Sequence, residues 1–136
     1  MDTEKLLKLL KENREIFLVI GASAFPVYGY ARATLDIDLF VKPNLKNIKK
    51  VMKALDFLKN KILIRQYTLE ADIHPFVKGI TFEKAWKNRI SAKFGETRVN
   101  FPCLGDMIKM KKAAGRNIDL EDLKYLREIK KKKATN

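Results

Sequence analysis

The stretch from Gly21 to Phe40, GASAFPVYGYARATLDIDLF, constrains this chain more than any other part of it. The run Asp36-Ile37-Asp38-Leu39-Phe40-Val41 alternates as a β-strand does, and side chains two apart on a strand leave the same face. Asp36 and Asp38 are therefore predicted to point one way. Two carboxylates held that close raise each other's pKa unless a positive charge sits between them, and hard oxygen donors of this kind suit Mg²⁺ or Mn²⁺ bridging to phosphates. Upstream, Ile16 to Ile20 reads as a short apolar strand that runs directly into Gly21-Ala22-Ser23-Ala24. That is a turn without bulk, followed by a short helix predicted over Ser23–Tyr28, whose free N–H groups form a natural anion site. Pro26 fits the first turn of such a helix.

The order of strand, Gly-small-Ser turn, helix and R-x-T-x-D-x-D strand resembles the minimal nucleotidyltransferases of the DNA polymerase beta superfamily. It is most similar to the small branch related to nucleotidyltransferase toxins of toxin–antitoxin systems. The residues that carry the resemblance are Gly21, Ser23, Gly29, Arg32, Thr34, Asp36 and Asp38. Ala22 departs from the pattern, which has Gly or Ser directly after the first glycine, so the cradle would rest on backbone N–H groups and Ser23. The resemblance implies an α/β (α+β) nucleotidyltransferase fold, a mixed β-sheet flanked by helices in a single domain. It also implies transfer of a nucleoside monophosphate from a nucleoside triphosphate to a hydroxyl acceptor, with two Mg²⁺ (or Mn²⁺) ions.

A third acid on a neighbouring strand belongs to that pattern. The run Ala71-Asp72-Ile73, followed by Gly79 to Trp86, looks like the branch's sequence around it; the residues alone leave Glu70 in competition. The resemblance thus makes Asp36, Asp38 and Asp72 the catalytic and metal-holding residues. Gly21, Ala22 and Ser23 would cradle phosphate, and Arg32 and Thr34 lie close enough to touch it, although Arg32 reads equally well as a surface residue. Lys111 stands in the middle of an apolar stripe formed by Leu104, Met107, Ile108, Met110 and Ala114. Its stem either lies on the core with the ammonium snorkelling outward or its ammonium reaches an anion. The second is favoured by the resemblance of Met110 to Arg116, followed by Asp119-Leu120, to the branch's C-terminal motif.

Of 136 residues, 29 are Lys or Arg and 16 are Asp or Glu, a net charge of +13. Such a surplus favours polyanionic partners: nucleotides, RNA (tRNA among them) through a basic surface, DNA or an acidic membrane face. The length predicts one domain, residues 1–129, with a basic tail at 130–136 whose run Lys130 to Lys133 does not fold alone. One cysteine, Cys103, allows no internal disulfide and fits a reducing cytoplasm. The uncharged stretch from Ile16 to Ala31 is shorter than the roughly 20 apolar residues of a membrane span, so the expectation is a cytoplasmic protein with no membrane contact. Acceptor choice then falls to the basic surface, a homodimer or a cognate partner protein. The rival readings are a phosphatase or glycosyltransferase using Asp-x-Asp, a catalytically silent module binding nucleotide or nucleic acid, and a toxin–antitoxin component.

Around the central unit, periodicity predicts an amphipathic helix over Thr3–Asn13 and another after Asn44, with Leu45, Ile48, Val51, Met52, Leu55 and Leu58 on one face. Ile62 to Ile64 and Leu69 to Phe76 read as strands, the second placing Glu70, Asp72 and His74 on one face. His74, the sole histidine, reads as structural. Trp86 reads as a core anchor, and Arg89–Phe94 and Thr97–Phe101 as a hairpin around Gly95-Glu96. A helix over Leu104–Ala114 is followed by a last helix with Asp119 as N-cap and Leu120, Leu123, Leu126 and Ile129 inward. Tyr28, Tyr30 and Tyr67 suit base stacking or core packing alike.

Overall fold

A computed structural model describes residues 2–32, 34, 36–64 and 71–135. In chain order the elements are α1 (Asp2–Glu12), β1 (Phe17–Ile20), a 3₁₀ helix (Gly21–Tyr28), β2 (Ile37–Val41), α2 (Leu45–Ile64), β3 (Ala71–His74), α3 (Phe82–Lys87), β4 (Ile90–Phe94), β5 (Thr97–Phe101), α4 (Leu104–Ala114) and α5 (Asn117–Thr135). β2 is the central strand of a three-stranded mixed sheet. It pairs antiparallel with β1, Ile20 opposite Asp38, and parallel with β3, Asp38 opposite Asp72. The parallel pair requires a crossover, and α2 supplies it. β4 and β5 form a separate hairpin, with β5 packed beside β1. The result is the small mixed sheet flanked by helices that the sequence led us to expect.

Every residue of β1 is buried, and in β2 all but Asp38 are. Such strands read as apolar runs because both faces are covered. Leu6, Leu7 and Leu10 of α1 are fully buried in the same core, at the i, i+1, i+4 spacing of one helix face. Phe82 of α3 meets Phe40 edge to face at 5.1 Å. Glu4 of α1 accepts hydrogen bonds from the Glu96 N–H (2.7 Å) and the Thr97 hydroxyl (3.2 Å), so the first helix also holds the hairpin turn.

The turn into α2 shows how local chemistry sets an element. The Asn44 side chain accepts the Asn47 N–H at 2.8 Å, the N-cap bond predicted for that position. Asn47 is itself buried: its amide accepts from the Ile16 N–H and donates to the Ile16 and Lys42 carbonyls, joining the entry of β1 to the exit of β2.

Several expectations need correction. Ile62 to Ile64 is not a strand; it is the last turn of α2, because the Leu and Ile spacing of that helix continues through it. Strand β3 begins at Ala71, and Leu69 and Glu70 lie outside the described residues, as do Tyr67 and the side chains of Leu55 and Leu58. Leu45 and Met52, placed on the apolar face of α2, are exposed. Asp36 precedes β2 rather than sitting in it. Asp119 is not the N-cap of α5 but its third residue. Its carboxylate reaches back to the Arg116 N–H (3.1 Å), the acidic half of a capping box. In α5, Leu120 is 50% exposed while Asp119, Asp122, Leu123 and Leu126 face inward, and the basic run Lys130 to Lys133 continues the helix. Trp86 is half-buried, stacked on Phe82 and covered by the Arg89 guanidinium. Among the described residues, no helix is long and apolar enough to cross a membrane.

Candidate functional site

β1 ends at Ile20 opposite Asp38, and at Gly21 the chain turns sharply into the 3₁₀ helix. Gly21 has φ +68°, and a Cβ there would lie 2.5 Å from Asp38 Oδ2. Both the backbone conformation and the contact require glycine. Gly21→Ala is therefore expected to displace the Asp38 carboxylate and to lower stability by about 1–2 kcal/mol, read from urea unfolding midpoints. A wild-type midpoint would contradict the close approach.

Asp38 and Asp72 are register partners on adjacent parallel strands, so their side chains leave the same face of the sheet. His74, two residues further along β3, places Nε2 2.9 Å from Asp38 Oδ1. This hydrogen bond, more than the negative charges of Asp38 and Asp72, holds the imidazole pKa above its usual value against the effect of burial. Gly21, Asp38 and His74 line one end of a cavity of about 240 Å³, whose other walls come from the segment after β3 and from α4.

Asp36 sits where the loop enters β2. Its carbonyl accepts hydrogen bonds from the Ser23 hydroxyl (3.3 Å) and the Thr34 hydroxyl (3.1 Å). Both hydroxyls singled out as phosphate contacts thus fasten the loop that carries the first acid. Ala22 is buried behind the turn. Asp36 Oδ1 is buried and has no hydrogen-bond partner among the described residues.

The cations are arranged differently from the expectation. Arg32 makes a two-point contact with Asp122 (Nε to Oδ1 2.9 Å, Nη2 to Oδ2 3.0 Å). Lys111, almost completely buried, lies 3.1 Å from Asp119 and 3.3 Å from Asp122, with its ammonium 5.2 Å from the Phe25 ring centroid. Arg116 reaches Asp119 through Nε at 2.6 Å, and the Tyr30 hydroxyl donates to Asp122 at 3.2 Å. Lys111 therefore neither snorkels nor stands free at the cavity wall; two carboxylates take its charge. Tyr28 is buried with its hydroxyl on the Pro102 carbonyl, and Tyr30 stacks between Phe25 and Tyr125.

Asp122 was not singled out from the sequence. The signal was available: 119, 122, 123 and 126 form an i, i+3, i+4, i+7 stripe as regular as the leucine stripe, but two of its members are acids. The Arg116 and Lys111 contacts depress the Asp119 pKa to about 2 against an ordinary 3.8. A depressed carboxylate adds stability that is fully present above its ordinary pKa and is lost as pH falls through the folded value. The shift corresponds to roughly 2 kcal/mol. In urea unfolding between pH 5 and pH 2, the stability gap between wild type and Asp119→Asn is expected to close as the pH falls. A constant gap would mean that charge is not what Asp119 contributes.

A mixed sheet flanked by helices, with a glycine turn pressed on a strand aspartate and a second aspartate in register beside it, is the architecture of a nucleotidyltransferase. The family model described as nucleotidyltransferase of unknown function (DUF6036) matches residues 1–131, and the chain belongs to that family. No curated protein and no solved structure matches the sequence.

The residues fit a hard divalent cation. Asp36, Asp38 and Asp72 are oxygen donors, and an unpartnered buried carboxylate oxygen such as Asp36 Oδ1 is an arrangement that a cation relieves. Among the described residues, no three acidic, histidine or cysteine side chains gather closely enough to hold an ion by themselves. Mg²⁺ characteristically uses one or two carboxylates and completes its shell with water and phosphate oxygens.

Proposed function

We propose that this chain is a metal-dependent nucleotidyltransferase of the DNA polymerase beta superfamily, in the branch related to toxin–antitoxin nucleotidyltransferases. It transfers a nucleoside monophosphate from a nucleoside triphosphate to a hydroxyl on RNA or tRNA, a protein or a small molecule. The observation that carries this reading is the Asp38–Asp72 register on one face of the sheet, with Gly21 against Asp38. Asp36, Asp38 and Asp72 would hold Mg²⁺ or Mn²⁺ together with water and the triphosphate oxygens, and the ion would supply the positive charge that phosphoryl transfer needs. The Gly21-Ala22-Ser23 backbone N–H groups face the triphosphate, and Ser23 and Thr34 keep Asp36 in place. The acceptor hydroxyl attacks the α-phosphorus in line, its proton passes to Asp72, and the bond to pyrophosphate breaks. Catalysis of this kind is mostly positioning and electrostatics.

The test incubates the protein with each α-labelled nucleoside triphosphate, Mg²⁺ or Mn²⁺, and total tRNA or cell lysate. Label is expected on an acceptor with wild type and not with the Asp36→Asn/Asp38→Asn double variant. A specific observation favours a second reading, a silent module that binds nucleotide or nucleic acid. Ala22 adds no hydroxyl to the cradle, and Lys111 is neutralised by Asp119 and Asp122. RNA binding that weakens steeply with salt, with no label transferred under any condition, would establish that reading in place of the first. A cognate partner that blocks or completes the site would co-purify from the native host, and a homodimer would appear in sedimentation.

A further inference from the structure

The turn after β3 brings Phe76 and Lys78 to the same cavity as Gly21 and Asp38. Phe76 is 80% exposed, yet it lines that cavity. Single exposed apolar side chains are ordinary on a protein surface. An aromatic ring held at a cavity that also carries two aspartates and three cationic side chains is less so, and its setting explains how it stays there. Val77 and Ile80 pair to close a tight turn with Lys78 and Gly79 at its corners. Gly79 has φ +96°, and a Cβ on it would stand 2.7 Å from the Lys109 carbonyl oxygen and 2.8 Å from Ala113 Cβ. The turn is pressed against α4 with no room for a side chain between them, so Phe76 and Lys78 are carried on a fixed support. Met107 and Met110 of α4 line the same cavity and give it apolar surface.

Charge separates Lys78 from the other cations of the cavity. Lys111 is held by Asp119 and Asp122, and Arg116 by Asp119. Lys78 also lines the cavity and is exposed, and it has no ion-pair partner among the described residues. Size adds a further constraint. A cavity of about 240 Å³ lies below the roughly 300 Å³ at which pockets for drug-sized ligands begin. A nucleoside triphosphate with its phosphates near Gly21 must therefore leave part of itself at the rim.

We infer that the Phe76–Gly79 turn is the nucleotide-recognition element of this site, Phe76 stacking on the base and Lys78 pairing with the triphosphate. The inference rests on the nucleotidyltransferase reading above. Stacking uses the π-face that every base has, so the four nucleoside triphosphates bind with similar affinity.

Equilibrium binding of Mg²⁺ complexes of ATP, GTP, CTP and UTP, and of inorganic tripolyphosphate, to the full chain tests this. Wild type is expected to bind the four nucleotides within about tenfold of one another. Phe76→Ala weakens all four by about tenfold and leaves tripolyphosphate unchanged, and Phe76→Trp restores them. Lys78→Met weakens nucleotides and tripolyphosphate alike. Thermal melts of each variant verify the fold. Equal weakening of tripolyphosphate by Phe76→Ala means the ring only shapes the cavity and overturns the proposal, as does nucleotide binding that neither substitution changes. Wild type that binds tripolyphosphate but no nucleotide more tightly overturns it as well. Failure of wild type to bind any of these ligands removes the nucleotidyltransferase reading and this inference together.

Discussion

Asp38→Asn is expected to abolish metal-dependent nucleotidyl transfer while leaving the fold intact. The substitution keeps the shape of the side chain and its capacity to hydrogen-bond His74, which lies 2.9 Å from Oδ1. It removes the negative charge at the point where Gly21, β2 and β3 meet. A group aimed at developing charge in a water-poor site is worth about 10²–10³ in rate, and loss of a metal-holding carboxylate should do at least as much. The readout is label transfer and Mg²⁺-nucleotide affinity, beside a thermal melt. Unchanged affinity and turnover in this variant would take Asp38 out of the site and leave the Asp38–Asp72 register without a catalytic meaning. Asp72→Asn serves as companion: because Asp72 is the more exposed of the pair, its loss should reduce turnover more than fold stability.

The second large effect is structural. Asp122→Ala is expected to destabilise the protein by about 3–5 kcal/mol, a large share of the 5–15 kcal/mol typical of a domain. Asp122 is fully buried and receives Arg32 in two-point contact, the Tyr30 hydroxyl and the Lys111 ammonium. Its removal leaves the buried Lys111 ammonium with Asp119 alone, takes from Arg32 its carboxylate partner, and releases the loop that leads from the 3₁₀ helix to Asp36. Lys111→Met should be milder. It leaves Asp122 with Arg32 and Asp119 with Arg116, and its apolar stem still packs near Phe25. Urea unfolding should rank Asp122→Ala well below Lys111→Met, and both below wild type. The reverse order would show that Lys111, not Asp122, is the centre of the network. Because the network joins α5 to the loop before Asp36, these variants should also lose nucleotide affinity.

The two charge systems differ in how they relate to the sequence. Asp36, Asp38 and Gly21 lie within one unit of strand, turn and strand, where local geometry governs which way a side chain points. Periodicity and turn residues placed α1, α4 and the β4–β5 hairpin close to their observed bounds. The failures follow one pattern. Ile62 to Ile64 looks like a strand in isolation because a short apolar run carries no period, and helix α2 extends through it. Leu120 looks inward because leucine usually is, whereas α5 turns Asp119 and Asp122 toward Lys111 and Arg32. An amphipathic pattern assumes that charge faces water. It reads a helix incorrectly when its buried face meets cations from another element.

The amino-acid sequence by itself therefore determined the order of elements on either side of Ile62–Ile64, the glycine turn before the acidic strand, and the spacing of Asp36 and Asp38, since each depends on neighbours along the chain. Only the tertiary structure decided which strand lies beside β2, that Asp72 stands in register with Asp38, that His74 holds Asp38, and that Arg32 and Lys111 are bound to acids some eight to ninety residues away. Those outcomes come from the pairing of β3 with β2 and from the packing of α5 on α4. Long-range pairing of charges and strands depends on where the chain returns in space, and no local periodicity records that.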